Sequence, residues 1–185
     1  PQGTDVKFLR DGKTATVAVY GQSNGSVVIA TNGKPDASIM MDPARPPTSD
    51  EPTMIMAGLL ALAHHPQPRR LANIGFGSGL TTHTLASSTQ PIEITSIEIE
   101  PAMVLAASLF GASVERAFND PRSHIVYDDA RAYFAGGART YDVIVSEPSN
   151  PWVSGVAKLF SQEFYDFIPR HLEPGGLLVQ WVQAY

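Results

Sequence analysis

The sequence contains no cysteine, which excludes disulfide bonds, thiolate nucleophiles and cysteine-ligated zinc. It also lacks a long hydrophobic run, because the longest, residues 54–63, is half the ~20 residues that a membrane-spanning helix needs. Basic residues are few: 13 lysines and arginines stand against 18 aspartates and glutamates, so the formal net charge is −5. A protein that binds nucleic acid through a broad basic surface is therefore not expected.

The five histidines have no spacing that is typical of a metal site, and we expect no metal. Hydrophobic residues make up 43% of the 185 residues, which is enough for a packed core. The composition therefore indicates a folded domain that acts on small molecules rather than a disordered or nucleic-acid-binding chain.

The first part of the chain is predicted to form β-strands. The turn dipeptides Asp11-Gly12, Asn24-Gly25 and Asn32-Gly33 separate short segments rich in threonine and valine. This pattern predicts a small antiparallel meander of three or four strands, and a proline-rich linker over residues 43–52 follows it. We therefore expect an N-terminal β segment at 1–45 and a second domain at 46–185.

The second domain is predicted to be an α/β domain. Residues 54–63 are apolar nearly all round and predict a buried helix, and another helix is expected to run from Pro101 to Gly111. Apolar strands that end near residues 74, 99, 127 and 146 alternate with helical segments, and a fifth strand covers 177–182. Repeated βαβ units predict a Rossmann-like parallel sheet with helices on both faces. Such sheets often have one or two more strands, so we expect further C-terminal strands beyond Tyr185.

The first of these strands runs into a glycine-rich loop. Gly75, Gly77 and Gly79 permit a tight turn and let a ligand approach the backbone. Their spacing differs from the G-x-G-x-x-G fingerprint of dinucleotide-binding proteins, which disfavours a nicotinamide cofactor. The alternative is a tight strand-to-helix turn without a ligand.

Acidic residues follow the next two strands. Glu98 lies about 20 residues beyond the glycine loop, where a carboxylate can accept hydrogen bonds from both ribose hydroxyls. Asp128 and Asp129 follow the third strand, and an aspartate there can accept a hydrogen bond from an adenine amino group. Asp129 is the favoured ligand-facing residue, although either aspartate is also a good helix N-cap.

The fourth strand ends in two prolines that enclose polar residues. Glu147 and Asn150 lie next to Pro148 and Pro151, so a rigid backbone presents a carboxylate and an amide at a strand end. This arrangement predicts an active site. The alternative is a stiff crossover in which the asparagine caps a helix.

The motifs occur in an order that resembles the spermidine synthase (aminopropyltransferase) family. The order most closely resembles that of bacterial spermidine synthase-like domains, which are often fused to membrane segments. The resemblance is carried by Gly75-Phe76-Gly77-Ser78-Gly79, Ile97-Glu98-Ile99, Asp128-Asp129-Ala130, and Tyr141-Asp142-Val143-Ile144-Val145-Ser146-Glu147-Pro148-Ser149-Asn150-Pro151. It implies a small N-terminal β domain on a Rossmann-like, S-adenosylmethionine-methyltransferase-type core. It also implies aminopropyl transfer from decarboxylated S-adenosylmethionine to an amine.

The resemblance assigns roles to these positions. The three glycines would line the donor, Glu98 would hold its ribose and Asp129 would face its adenine. Glu147 occupies the position of the family's catalytic aspartate, and Asn150 that of a second aspartate that helps to hold the amine. Met54 and Ile55 stand where the family has a tyrosine and a histidine, and Asp36 where a glutamine is usual.

Two other functions stay open at this point. The shared core also fits methyl transfer from S-adenosylmethionine itself, and loss of the tyrosine–histidine pair fits a non-catalytic nucleoside-sensing domain. For an enzyme we expect a small amine or polyamine substrate, no nucleic acid, a homodimer and a cytoplasmic location. The family resemblance adds an attached membrane domain to these expectations.

Overall fold

Hydrogen-bonded strands form two separate sheets in the computed structural model, which describes residues 5–148 and 156–182. The N-terminal sheet is an antiparallel meander with the strand order β1-β2-β3-β4. Its strands are β1 (Asp5–Asp11), β2 (Thr16–Gly21), β3 (Ser26–Thr31) and β4 (Lys34–Met40). Asn32 and Gly33 both have positive φ angles, 51° and 80°, as a two-residue hairpin turn of this kind requires. The predicted meander is confirmed with four strands.

The second sheet is parallel and has five strands in the order β7-β6-β5-β8-β9. They are β5 (Arg70–Ile74), β6 (Glu93–Glu98), β7 (Ser123–Tyr127), β8 (Tyr141–Ser146) and β9 (Leu172–Gln180). This order confirms the predicted Rossmann-like fold. The chain returns from β7 to place β8 beside β5, so the strand order reverses between these two strands. Open α/β sheets bind ligands beyond the strand ends at such a reversal.

Within residues 5–148 and 156–182, six α-helices connect and cover the strands. They are α1 (Glu51–His64), α2 (Leu80–Leu85), α3 (Pro101–Ala107), α4 (Glu115–Asn119), α5 (Ala130–Ala135) and α6 (Gln162–Phe167). The prediction that one helix runs to Gly111 is wrong. The α-helix ends at Ala107, and a 3-10 segment passes through Gly111, whose φ of 54° kinks the backbone before α4 begins.

Helix α1 is buried on one side only, which corrects the prediction of a helix buried all round. Met54 and Gly58 lie on its buried face, where a Cβ on Gly58 would come within 2.8 Å of the Thr84 side chain in α2. On the other face Met56 and Leu59 are 48% and 44% exposed. Among the described residues, no helix is long and apolar enough to cross a membrane.

The two sheets share a hydrophobic core. Val19 and Ile29 of the N-terminal sheet are fully buried in one cluster with Met103 and Ala106 of α3 and with Phe110 beyond it. Apolar side chains from one face of the meander therefore fix its position against the helices of the parallel sheet. This packing brings the loop between β1 and β2 close to the end of β6.

Glu100 fastens that loop to the parallel sheet. Its Oε2 accepts hydrogen bonds from the Thr14 backbone N–H at 2.6 Å, the Thr14 hydroxyl at 2.9 Å and the Ala15 N–H at 3.2 Å. Its Oε1 caps α3 by accepting from the Ala102 N–H at 2.9 Å. Burial alone would raise the pKa of Glu100, but these hydrogen bonds outweigh it and lower the pKa to about 2.

We expect Glu100→Gln to lower the free energy of unfolding by about 2–3 kcal/mol at pH 7, since hydrogen bonds to a buried charge contribute more than neutral ones. The folded-state pKa lies below the ordinary 4.5, so this stabilisation is present above pH 4.5 and is lost as the pH falls toward 2. Urea denaturation at pH 7 and pH 3 measures the effect. The difference from wild type should shrink at pH 3, and the exposed Glu93→Gln serves as control. A difference that is equal at both pH values would contradict this role.

Candidate active site

Two cavities meet at the carboxyl edge of the parallel sheet, where β5 and β8 end. The larger has a volume of about 630 Å³ and extends toward the ends of β6 and β7. The smaller, of about 150 Å³, lies between the glycine loop, β4 and the start of α1. Gly75, Gly77, Glu147 and Pro148 line both cavities. The junction therefore joins a space of nucleoside size to a space for a small second molecule.

The glycine loop after β5 depends on backbone conformations that favour glycine. Gly75 and Gly77 have φ angles of 87° and 53°. A Cβ on Gly75 would lie 2.9 Å from the carbonyl oxygen of Glu147, so a side chain there would push the two strand ends apart. A Cβ on Gly77 would meet no atom within 4 Å, which leaves this backbone open toward the cavities. The Asn73 amide holds the loop by donating to the Gly75 carbonyl at 3.0 Å.

Glu98, at the end of β6, is 7% exposed and lines the larger cavity. Its Oε2 accepts from the Phe76 N–H and its Oε1 from the Glu100 N–H, both at 2.9 Å. Burial raises the pKa of Glu98, and the backbone hydrogen bonds oppose this rise. Glu98 lies on the wall of the larger cavity, so its carboxylate oxygens can also accept hydrogen bonds from a ligand bound there.

Glu147, directly after β8, stands at the junction of the two cavities. Its backbone N–H continues the sheet by donating to the Ile74 carbonyl at 3.0 Å, and the Thr81 hydroxyl donates to its Oε2. Burial raises the pKa of Glu147 to about 7, and only the Thr81 hydrogen bond opposes the shift. A carboxyl group with this pKa can both take up and release a proton near neutral pH.

The two aspartates after β7 line the larger cavity and are exposed. The Asp129 Oδ1 accepts from the Ala132 N–H at 3.0 Å and caps α5, while the Asp128 Oδ1 accepts from the Asp129 N–H at 2.8 Å. The structure thus gives the capping role to Asp129, the residue favoured as ligand-facing, and leaves the assignment of an adenine contact a prediction. Asn150 lies outside the described residues.

Acidic groups surround the smaller cavity. Among the described residues, the ionisable side chains that line it are those of Asp36, Asp50 and Glu147. Met54 and Trp181 supply apolar walls. This combination suits a small organic cation, because carboxylates attract its charge and the apolar walls contact its carbon chain. Within residues 5–148 and 156–182, no group of three or more histidines, aspartates or glutamates is placed to hold a metal ion.

The sequence model of the Spermine/spermidine synthase domain matches residues 53–184. The chain belongs to this family.

Relatives of known function agree with this placement. Over 178 residues the chain is 28% identical to a polyamine aminopropyltransferase of Aeropyrum pernix, covering 95% of this chain and 54% of that protein. Over 120 residues it is 30% identical to putrescine N-methyltransferase 2 of Nicotiana attenuata, covering 64% of this chain and 32% of that protein. The chain thus spans about half or less of the length of these relatives.

A solved structure shares the fold of this spermidine synthase family member. It is a spermidine synthase in complex with the transition-state analogue AdoDATO, with a TM-score of 0.82 and 20% sequence identity. The match covers 95% of this chain and 57% of that one. The likeness extends over both sheets described above.

Sequence reasoning did not identify three residues of this family member's candidate site. Trp181 follows β9 and could have been predicted, because ligands of open α/β sheets bind beyond the carboxyl ends of the strands. Asp50 precedes α1 and Thr81 lies in α2, and both reach the smaller cavity through the packing of α1 against α2 and β4. No local sequence pattern reports such contacts between distant elements.

Proposed function

We propose that this domain transfers an aminopropyl group from decarboxylated S-adenosylmethionine to a small amine. The observation that carries the proposal is Glu147, whose carboxyl group has a pKa of about 7 and lies where a nucleoside-sized cavity meets a small acidic one. Group transfer between two bound molecules needs such a junction, with a proton acceptor beside it.

The larger cavity fits the nucleoside part of the donor. Its volume of about 630 Å³ lies within the range of small-molecule sites, and the open backbone at Gly77 permits close approach. Glu98 would accept hydrogen bonds from the ribose hydroxyls, and Asp128 or Asp129 would face the adenine. When bound, the donor supplies a propyl carbon activated by a positively charged sulfur, which leaves as a neutral thioether and needs no proton.

The smaller cavity fits the acceptor amine. A primary amine has a pKa of about 10, so roughly one molecule in a thousand is neutral at pH 7 and able to attack carbon. Asp36 and Asp50 would attract the ammonium form into the cavity. Glu147, as the carboxylate, would then remove the proton that the nitrogen must lose.

The charges of the site favour the decarboxylated donor over S-adenosylmethionine. A donor chain that carries its own carboxylate would meet three acidic side chains in the smaller cavity. Among the described residues, the basic groups that line either cavity are Arg131 and Lys158, and both lie on the larger one. Methyl transfer from the intact cofactor remains the second candidate because of the Nicotiana relative.

Calorimetric titration with decarboxylated S-adenosylmethionine, S-adenosylmethionine and methylthioadenosine tests the proposal. We expect the decarboxylated donor to bind at least tenfold more tightly than the intact cofactor, and amine screening by mass spectrometry to show an aminopropylated product. Tighter binding of the intact cofactor with a methylated product would replace aminopropyl transfer by methyl transfer. Donor binding without any product would favour a non-catalytic, nucleoside-sensing function instead.

Asp36→Asn is expected to raise the KM for the amine about tenfold or more, while the dissociation constant of methylthioadenosine, which lacks the aminopropyl chain, stays unchanged. The reason is the loss of one charge-assisted contact to an ammonium group, which contributes about 1.5–3 kcal/mol. Steady-state kinetics at saturating donor measures the effect. The control is Asp42→Asn, an exposed residue that forms an ion pair with Arg45 away from both cavities. Equal KM values for the two variants would exclude Asp36 from acceptor binding.

A homodimer, an attached membrane domain and a cytoplasmic location stay predictions from the sequence.

A further inference from the structure

We propose that Thr81 is a positioning residue that holds the Glu147 carboxyl group in place and exchanges a hydrogen bond with it in both protonation states. The inference rests on the proposed function only for its kinetic consequence. The hydrogen-bonded arrangement itself is a property of the two residues and of the Met54 carbonyl beside them.

The geometry places Thr81 between two acceptors. It is the second residue of α2 and is 2% exposed. Its Oγ1 contacts the Glu147 Oε2 and lies 3.1 Å from the carbonyl oxygen of Met54 in the first turn of α1. The α1–α2 contact is tight, because a Cβ on Gly58 would lie 3.3 Å from the Thr81 carbonyl oxygen. The hydroxyl therefore has little freedom to move away.

A threonine hydroxyl has a single proton, so it cannot donate to both acceptors at once. When Glu147 is ionised, Thr81 donates to its Oε2. When Glu147 is protonated, the carboxyl O–H donates to the Thr81 Oγ1, and Thr81 donates to the Met54 carbonyl. In both states the Glu147 Oε2 and the Thr81 Oγ1 stay hydrogen-bonded to each other, and the carboxyl group keeps one position through gain and loss of its proton.

This pairing matters because of the length of the side chain. Glutamate has one more rotatable bond than the aspartate that the family resemblance places at position 147, and a misplacement of about 1 Å can reduce a rate ~10²-fold. A hydrogen bond from a buried, immobile hydroxyl offsets that freedom. Thr81 thus orients the carboxylate toward the acceptor. It favours the ionised form of Glu147, because its charge-assisted hydrogen bond to the carboxylate is stronger than the neutral hydrogen bond of the protonated state.

Other charged groups line the two cavities that Glu147 borders. On the side of the smaller cavity these are Asp36 of β4 and Asp50 before α1. On the side of the larger cavity they are Glu98, Glu100, Asp128, Asp129, Arg131, Lys158 and Glu163. Burial is the main cause that raises the pKa of Glu147, and the hydrogen bond from Thr81 is the cause that lowers it. Removing that hydroxyl should therefore raise the pKa of Glu147.

The test compares Thr81→Val with Thr81→Ser in the same chain. Valine keeps the shape but lacks the hydroxyl, and serine keeps the hydroxyl. The Glu147 carboxyl carbon is followed by ¹³C NMR across pH in protein labelled at glutamate, with its signal assigned by its absence in Glu147→Gln. We expect the valine variant to raise the titration midpoint by about one pH unit or more, and the serine variant to keep the wild-type midpoint.

Kinetics supplies the second readout. The pH dependence of kcat should shift to higher pH by the same amount in Thr81→Val, with kcat at pH 7 reduced about tenfold or more and the donor KM unchanged. An unchanged NMR midpoint in the valine variant, or a serine variant that behaves like valine, would overturn the inference. Thr81→Ala takes the place of the valine variant if that protein does not fold.

The two proposals fail in different ways. If the midpoint shifts as expected but wild type forms no aminopropylated product, the pairing of Thr81 with Glu147 stands and the proposed function falls. If product forms but the midpoint does not respond to Thr81→Val, the function stands and the positioning role falls.

Discussion

Glu147→Gln should reduce kcat by about 10²–10⁴-fold, the range that a positioned general base contributes. Glutamine has the same shape and can still accept a hydrogen bond from Thr81, so the junction of the two cavities stays intact. It cannot take a proton from the amine. Because Glu147 is not assigned to the nucleoside, the dissociation constant for methylthioadenosine should change less than threefold. The measurement is kcat at saturating amine together with calorimetric titration of methylthioadenosine.

The same residue predicts how activity depends on pH. Below pH 7 most Glu147 is protonated and cannot act as a base, so kcat should rise with pH and level off above the pKa of about 7.

The free energy of unfolding should depend on pH in the opposite direction. The pKa is raised from 4.5, so the folded protein binds more protons than the unfolded chain between about pH 4.5 and 7. The free energy of unfolding should therefore fall as the pH rises through this window, and Glu147→Gln should remove that part of the slope.

Glu115→Gln is the matched control, because this exposed glutamate at the start of α4 lies outside both cavities. It should leave kcat and its pH profile unchanged. If Glu147→Gln retained wild-type kcat, another group would have to accept the proton, and the role proposed for Glu147 would be wrong. A parallel loss of methylthioadenosine binding would instead point to a role in holding the nucleoside.

The fold could be predicted because its signals are local. Asn32-Gly33 specifies a hairpin by its backbone conformation, and glycines after an apolar strand mark a strand-to-helix turn. The course of individual helices could not be predicted in the same way. Methionine and leucine occur on both faces of α1, so its composition does not show that only the face toward α2 is buried. Gly111 is a helix-ending residue by type, but the α-helix already ends at Ala107, and a 3-10 segment that contains the buried Phe110 leads to Gly111.

Some residues of the candidate site could likewise be predicted from the sequence, and others could not. Glu98 and Glu147 follow strands, and the topology of a parallel sheet brings all strand ends to one edge, so sequence reasoning could place them together. The hydrogen bond between Thr81 and Glu147 joins residues 66 positions apart through the packing of a helix on a strand end. Such a contact has no sequence signature. Asp129 is an intermediate case, since one residue type serves equally as helix cap and as ligand contact.

Glu98→Gln should weaken the binding of methylthioadenosine about 10²–10⁴-fold. The ionised Glu98 accepts from the Phe76 and Glu100 backbone N–H groups, and its oxygens would also accept from the ribose hydroxyls. Glutamine has a single acceptor oxygen, and its NH₂ group would face either a backbone N–H or a ribose hydroxyl that also needs an acceptor. Loss of two charge-assisted hydrogen bonds, at about 1.5–3 kcal/mol each, accounts for the magnitude.

A ligand lacking the 2′-hydroxyl separates the two roles of Glu98. Wild type should bind 2′-deoxy-methylthioadenosine about tenfold or more weakly than methylthioadenosine, whereas Glu98→Gln should bind the two nucleosides with nearly equal affinity. The difference between these two ratios is the coupling between the carboxylate and the hydroxyl, as in a double-mutant cycle. If the variant discriminated between the ligands as wild type does, Glu98 would not contact the ribose. Its effect on binding would then come from the Phe76 N–H that it holds in the glycine loop.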